Sequence, residues 1–392
     1  MMNIILLVFV FVTTIASAQT KRARDYGIPF DGTPGKNNAI TDVGNVTVGH
    51  STIIKGNGAL VKGQGPIRTG VTAILPHGKE FHPCYANFYA LNGNGDMTGT
   101  HWITESGFLE TPILITNTGN VGTVRDAAWQ WMDQHKYYTP IFKDYWFAYP
   151  VVAETYDGIL NDINGQHVKK ENVFMALDSA KSGPVTEGAV GGGTGMICYG
   201  FKGGIGTASR VISKQAGGYT VGVLVQANHG SRSQLTISGV PVGKELTDTL
   251  AVKIAGVTKD IKSVEQEVGS IIIVLATDAP LLPSQIKRLA QRIPLGLTRT
   301  GAIGGNSSGD IFIAFSTANK DAFSNTEEKQ VTTMSNETMN LLFTATIQAV
   351  EEAIINVLFA GETMEGIEGN KVYGLPKDKV LQIMKKYNRL NK

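Results

Sequence analysis

The segment SIIIVLAT, residues 270–277, carries six consecutive apolar residues from Ile271 to Ala276. A strand turns successive side chains to opposite faces, so a run that is apolar at every position must be covered on both sides. Further strand candidates lie at residues 70–75, 145–155, 219–227 and 310–316, set off by Gly, Asn and Asp turns. Helical periodicity is confined to residues 124–135, 283–292, where Pro283 suits a first turn, and 333–360. An α/β chain of stacked sheets with outer helix layers satisfies these demands. No Pro- or Ser-rich linker divides the 392 residues, and one large layered domain is expected.

Chemistry is narrowed first by what is missing. Lys and Arg number 35 against 33 Asp and Glu, a net charge of +2, and the basic residues are scattered rather than striped. That leaves no electrostatic footprint for nucleic acid or an anionic membrane. Two cysteines, Cys84 and Cys198, cannot make a thiolate metal cluster and are expected as buried free thiols. The seven histidines form no HExxH pair, and neither a P-loop nor a complete GxGxxG occurs. With neither metal nor cofactor expected, hydrolytic or transfer chemistry remains, or none.

Residues 1–19, MMNIILLVFVFVTTIASAQ, set an apolar run before the small residues Ala16, Ser17 and Ala18. This fits a signal peptide over residues 1–18, cut after Ala18, and a periplasmic or secreted mature chain 19–392. The run is short for a bilayer span, and no later stretch is expected to cross a membrane. A second compositional outlier is GVTKDIKSVEQEVG, residues 256–269, charged and without aromatics, directly before the strand at Ser270. Loops of this length usually have a role.

The nucleophile-elbow pattern GxSxG occurs once, with Ser307 at its centre. An elbow needs a strand before the serine and a helix after it, and here DIFIAFST follows as a strand. A serine esterase using Ser307 is therefore disfavoured. Polar residues at strand ends are a better source of candidates. Ser308 and Asp310, and likewise Glu154 and Tyr156, are two apart and share a strand face. Asn228 ends one strand and Ser270 begins another. Spacing alone does not bring these together, and a solvated strand end accounts for each. In the Gly-rich residues 188–206 no Lys follows at P-loop spacing, so close backbone approach is a better reading than a phosphate cradle.

These residues lie within segments that resemble a known family. They are LNGNGDMTGTHWITESGFLETPILITNT (91–118), PVVAETYDG (150–158), EGAVGGGTGMICYGFKGGIGTASR (187–210), TVGVLVQANHG (220–230), GSIIIVLATDAPLLP (269–283) and NSSGDIFIAFSTAN (306–319). Together they resemble the self-processing aminopeptidases grouped as L-aminopeptidase/D-esterase and β-peptidyl aminopeptidase, peptidase family S58. The resemblance runs in order over most of the mature chain.

The resemblance implies a four-layer α-β-β-α sandwich, similar to N-terminal nucleophile hydrolases with different connectivity. It also implies a precursor cut between Gly269 and Ser270 into an α chain, 19–269, and a β chain, 270–392, with Ser270 as nucleophile. The freed α-amine, of unperturbed pKa about 7.7 to 8.0, can take up the serine proton near neutral pH. By the same resemblance Ser308 and Asp310 form a Ser-x-acid pair beside the nucleophile, in contact directly or through water. Asn228 donates to the oxyanion, Tyr156 assists there, and Glu154 holds the substrate's ammonium. The expected substrates are short peptides, amides or esters of L-, D- or β-residues, and αβ units are expected to assemble into a homo-oligomer, a tetramer in the family. The rival class is an acyltransferase, since ornithine acetyltransferases share the architecture and the self-cutting but use Thr.

Overall fold

The computed structural model of the chain describes residues 21–139, 144–246, 252–254, 269–324 and 327–391. The expectations for the leader and for most of the charged segment before Ser270 lie outside these residues. The first strands are β1 (Thr47–Lys55), β2 (Ile67–Lys79), β3 (Cys84–Gly93), β4 (Phe108–Leu109), β5 (Ile113–Asn117) and β6 (Val151–Thr155). They are followed by β7 (Ile197–Cys198), β8 (Phe201–Lys202), β9 (Gly204–Val211), β10 (Thr220–Asn228), β11 (Ser270–Thr277) and β12 (Gly309–Ser316). The helices are α1 (Thr100–Ser106), α2 (Val121–Gln134), α3 (Lys170–Asp178), α4 (Val242–Glu245), α5 (Pro283–Ala290), α6 (Ile293–Arg299) and α7 (Met339–Ala360).

Two sheets result, a smaller one ordered β1-β2-β5-β6 and a larger one ordered β4-β3-β12-β11-β10-β9. The doubly apolar β11 explains how they stack. Its Ile271, Ile273 and Leu275 pack outward with Ile286, Leu289, Val350 and Ile354 of α5 and α7. Its Ile272, Val274 and Ala276 turn inward, in one cluster with Ile74, Ile115 and Ala153 of the smaller sheet. On the far side of that sheet Val71, Leu114 and Val152 meet Trp131 of α2 and Leu177 of α3. The layers therefore run α-β-β-α, and each fully buried Ile or Leu contributes about 1.5–3 kcal/mol of transfer free energy.

Three boundaries differ from the sequence reading, each for a local reason. Of the strand expected at 145–155 only β6 forms, directly after Pro150, which has no N–H for a ladder. The residues before it are held by ring packing, with Trp146 against Trp129 and Tyr138. The helix expected at 283–292 stops at Ala290, and α6 starts anew with Pro294 in its first turn. A proline there cannot continue the preceding helix. The last long helix starts at Met339, after a 3-10 turn capped by the Ser335 side chain. With that turn it is, among the described residues, long and apolar enough to cross a membrane, contrary to expectation. Its apolar side chains are instead buried against β9, β10 and α6, as suits a core helix.

Strand register then brings ends together. Asn228, the last residue of β10, lies opposite Ser270, the first of β11, and Ser270 lies opposite Gly309 at the start of the parallel β12. From the smaller sheet, β6 ends beside them: the Tyr156 carbonyl just beyond it accepts a hydrogen bond from the Asn228 side chain.

Candidate active site

Ser270 is almost fully buried, and its Oγ accepts a hydrogen bond of 3.3 Å from the Gly309 N–H. The same N–H lies 3.1 Å from the carbonyl oxygen of Gly269. One backbone donor thus serves both the serine oxygen and the carbonyl before it, which suits stabilisation of a developing oxyanion. Gly269 has φ +143°, and a Cβ there would collide with the Asn228 carbonyl. Only glycine combines that backbone with that approach.

Beside the serine, the Ser308 Oγ donates to Asp310 Oδ1 at 2.7 Å, with both residues buried. The contact is direct, which resolves the two alternatives for the shorter carboxylate. Asn228 is fixed from both sides. Its Oδ1 accepts from the Ile197 N–H at 2.8 Å, and its Nδ2 donates to the Tyr156 carbonyl at 3.0 Å. An amide with Oδ1 so committed is oriented to present N–H.

Glu154 is buried at the end of β6, accepting from the Asp96 N–H at 3.0 Å and from the Thr118 hydroxyl. Burial raises its pKa and the Asp96 charge adds to the rise, while the two hydrogen bonds act the other way. A Cβ placed on Gly95 would lie 3.3 Å from Glu154 Oε1 and 3.4 Å from Gly309 Cα, so a single glycine separates the carboxylate from the serine side. Tyr156 is half exposed, with its ring and hydroxyl folded over Gly158. It is the Tyr156 backbone carbonyl that the structure ties to Asn228.

Comparison with known proteins decides the family. The sequence pattern of peptidase family S58 matches residues 38–372. This chain belongs to peptidase family S58. A relative named β-peptidyl aminopeptidase BapA, from Sphingosinicella microcystinivorans, is 52% identical over 96% of this chain and 94% of its own. Among solved structures, the L-aminopeptidase D-Ala-esterase/amidase of Ochrobactrum anthropi superposes with a TM-score of 0.84 at 46% identity, covering 94% of this chain and 99% of that one. It is described as a prototype of the serine aminopeptidases and a variant of the Ntn hydrolase fold. A Burkholderia sp. β-aminopeptidase gives 0.82 at 46% identity over 93% and 99%. S58 membership makes the chain a hydrolase, and these relatives are aminopeptidases.

Other expectations for this S58 chain can now be placed. Ser307 is exposed in a turn followed by β12, the reverse of an elbow. The glycines of 188–206 do bring backbone close to backbone: a Cβ on Gly193 would lie 2.6 Å from the Ile205 nitrogen. Cys84 and Cys198 are buried thiols and form no disulfide. Among the described residues no group of three His, Cys, Asp or Glu could hold a metal ion. The sequence reading missed two fully buried charged residues below the site. Asp157 accepts from Asn117 and Asn161, and burial pushes its pKa up to about 6. Lys202 donates to backbone carbonyls, and burial pulls it down to about 7. One sequence offers no signal for either, because a charged residue at a strand end normally reads as solvated.

Proposed function

We propose that the chain is an exported aminopeptidase that cuts itself between Gly269 and Ser270 and then hydrolyses N-terminal residues from short peptides, amides or esters through an acyl-enzyme on Ser270. The observation that carries this reading is the Gly309 N–H shared between Ser270 Oγ and the Gly269 carbonyl. In the cut, Ser270 Oγ adds to the Gly269 carbonyl carbon. The C–N bond breaks as the nitrogen takes up the proton given up by Oγ, which frees the Ser270 α-amine and leaves an ester that water hydrolyses to a Gly269 carboxylate and the restored Ser270 hydroxyl. In turnover that amine takes the hydroxyl proton as Oγ attacks the substrate. Asn228 and Tyr156 assist at the oxyanion, Ser308 with Asp310 supports the amine, and Glu154 receives the substrate ammonium. Removal of residues 1–18 on export to the periplasm or medium, and assembly of αβ units into a homo-oligomer, complete the proposal.

The β-peptidyl relative supports N-terminal β-residues as a substrate class. A panel of p-nitroanilides with N-terminal L-, D- and β-residues, each free and N-acetylated, tests the reading alongside intact-mass analysis of the purified protein. Two chains split at 269/270, turnover of free β-residue anilides and inert acetylated ones are the expected results. Equal turnover of capped and free substrates sinks the aminopeptidase assignment, and acyl transfer to an added amine without net hydrolysis favours the transferase.

A further inference from the structure

Lys202, the last residue of β8, is fully buried, and all its hydrogen-bond partners are backbone carbonyls. Its Nζ lies 2.8 Å from the Met196 oxygen, 2.8 Å from the Gly203 oxygen and 3.5 Å from the Gly193 oxygen. Three acceptors match the three protons of an ammonium, and bonds from a charged donor are about twice as strong as neutral ones. A buried lysine is unfavourable, and the Gly193 and Gly203 contacts alone would serve to close a glycine-rich turn. The third contact leads elsewhere. Met196 C=O and Ile197 N–H are the two ends of one peptide bond, and the Ile197 N–H is the group that donates to Asn228 Oδ1 at 2.8 Å.

Resting on the assignment of Asn228 to the oxyanion, we propose that Lys202 is a positioning residue for that amide, acting through the Met196–Ile197 peptide. In its protonated form Lys202 draws density toward the Met196 oxygen and makes the Ile197 N–H a stronger donor. That bond in turn polarises the Asn228 amide and strengthens its Nδ2 as a donor, the cooperative effect expected of a hydrogen-bonded chain in a low-dielectric interior. Met196, Ile197 and Asn228 need not move for the charge to be felt, and Lys202 itself does not touch the substrate. Its removal should therefore lower kcat rather than raise KM, because an oxyanion donor acts on the transition state.

A double-mutant cycle tests this on the full-length processed enzyme, with kcat and KM for a free-amine p-nitroanilide and circular dichroism as the check on folding. Lys202→Met is expected to lower kcat about 10-fold with KM unchanged, and Asn228→Ala on the order of 10²-fold. In the Asn228→Ala background the Lys202 substitution should have no further effect on kcat. A loss from Lys202→Met that is equal in both backgrounds, or that appears in KM, overturns the inference and leaves the Asn228 assignment standing. Full activity of Asn228→Ala overturns that assignment and the inference with it. Lys202→Gln, which keeps donors without charge, is made in parallel and should lose kcat like Lys202→Met. If neither variant folds, Lys202 belongs to the architecture alone and the proposal fails.

Discussion

The two sheets hold their parts of the site by different means. On the larger sheet Asn228, Ser270 and Gly309 stand side by side in three adjacent strands, so the backbone ladder sets their spacing. On the smaller sheet Glu154 and Asp157 sit at and just beyond the end of β6, held by side chains and loops: Asp96 N–H and Thr118 for one, Asn117 and Asn161 for the other. Burial raises the pKa of both carboxylates. The proposed bond-breaking groups thus ride on rigid register, whereas the proposed ammonium receiver, Glu154, rides on a buried charge that a change of pH can cancel.

The comparison breaks most sharply at Ser270. Ser270→Ala leaves the ladder intact and removes only the oxygen, so intact mass should show one uncut chain, with turnover down on the order of 10⁴-fold or more. A variant that still splits at 269/270 takes the nucleophile away from the larger sheet.

Next comes the smaller sheet. Glu154→Gln should keep self-cutting and lose about 2–5 kcal/mol in kcat/KM for free-amine substrates, the usual loss when one partner of a buried charge pair is removed. Because the Glu154 pKa is raised in the free enzyme, kcat/KM of the wild type should fall on acidification at a pH above the ordinary glutamate value. The bound ammonium pulls the group back down, so kcat should hold to lower pH. Glu154→Gln should erase the difference between the two profiles, and profiles unchanged in shape would make Glu154 structural.

Much of the fold was legible, because β11 is apolar on both faces and such a strand must be covered on both sides. The site was legible in pieces. Asn228, Ser270 and Ser308 read as polar residues at strand ends, but their adjacency depends on the order β12-β11-β10, which periodicity does not encode. Resemblance supplied the grouping. Helix α3 went unread because its buried Val173, Ala176 and Leu177 make too short a stripe in a lysine-rich stretch. Arg210 and Glu352 were invisible as a buried pair, since they meet at 2.7 Å from 142 residues apart.

A smaller effect separates the sheets in stability. The folded pKa of Asp157, about 6, lies above its ordinary value of 3.8, so the fold favours the protonated acid. Its contribution is fully present below about pH 4 and is lost as pH rises through about 6. Relative to Asp157→Asn, the wild type should lose on the order of 3 kcal/mol of unfolding free energy between those limits. Urea melts of both proteins from pH 4 to 7 measure this, and parallel curves would show that Asp157 is not held near neutrality.

The smallest expected effect lies on the serine next to the pair. Ser307 is exposed, and Asn94 Nδ2 donates to its backbone carbonyl at 2.7 Å. Alanine keeps that carbonyl. An exposed turn substitution of this kind falls within about 0.5 kcal/mol. Ser307→Ala should therefore process fully and turn over at the wild-type rate, although it destroys the GxSxG pattern. The neighbouring Ser308, buried and bonded to Asp310, has no such freedom. Two adjacent serines in one turn thus differ because the first residues of β12 lead one inward and leave the other in solvent. Assaying Ser307→Ala beside Ser270→Ala decides between them: a dead Ser307→Ala with an active Ser270→Ala would move the chemistry from the ladder to the turn.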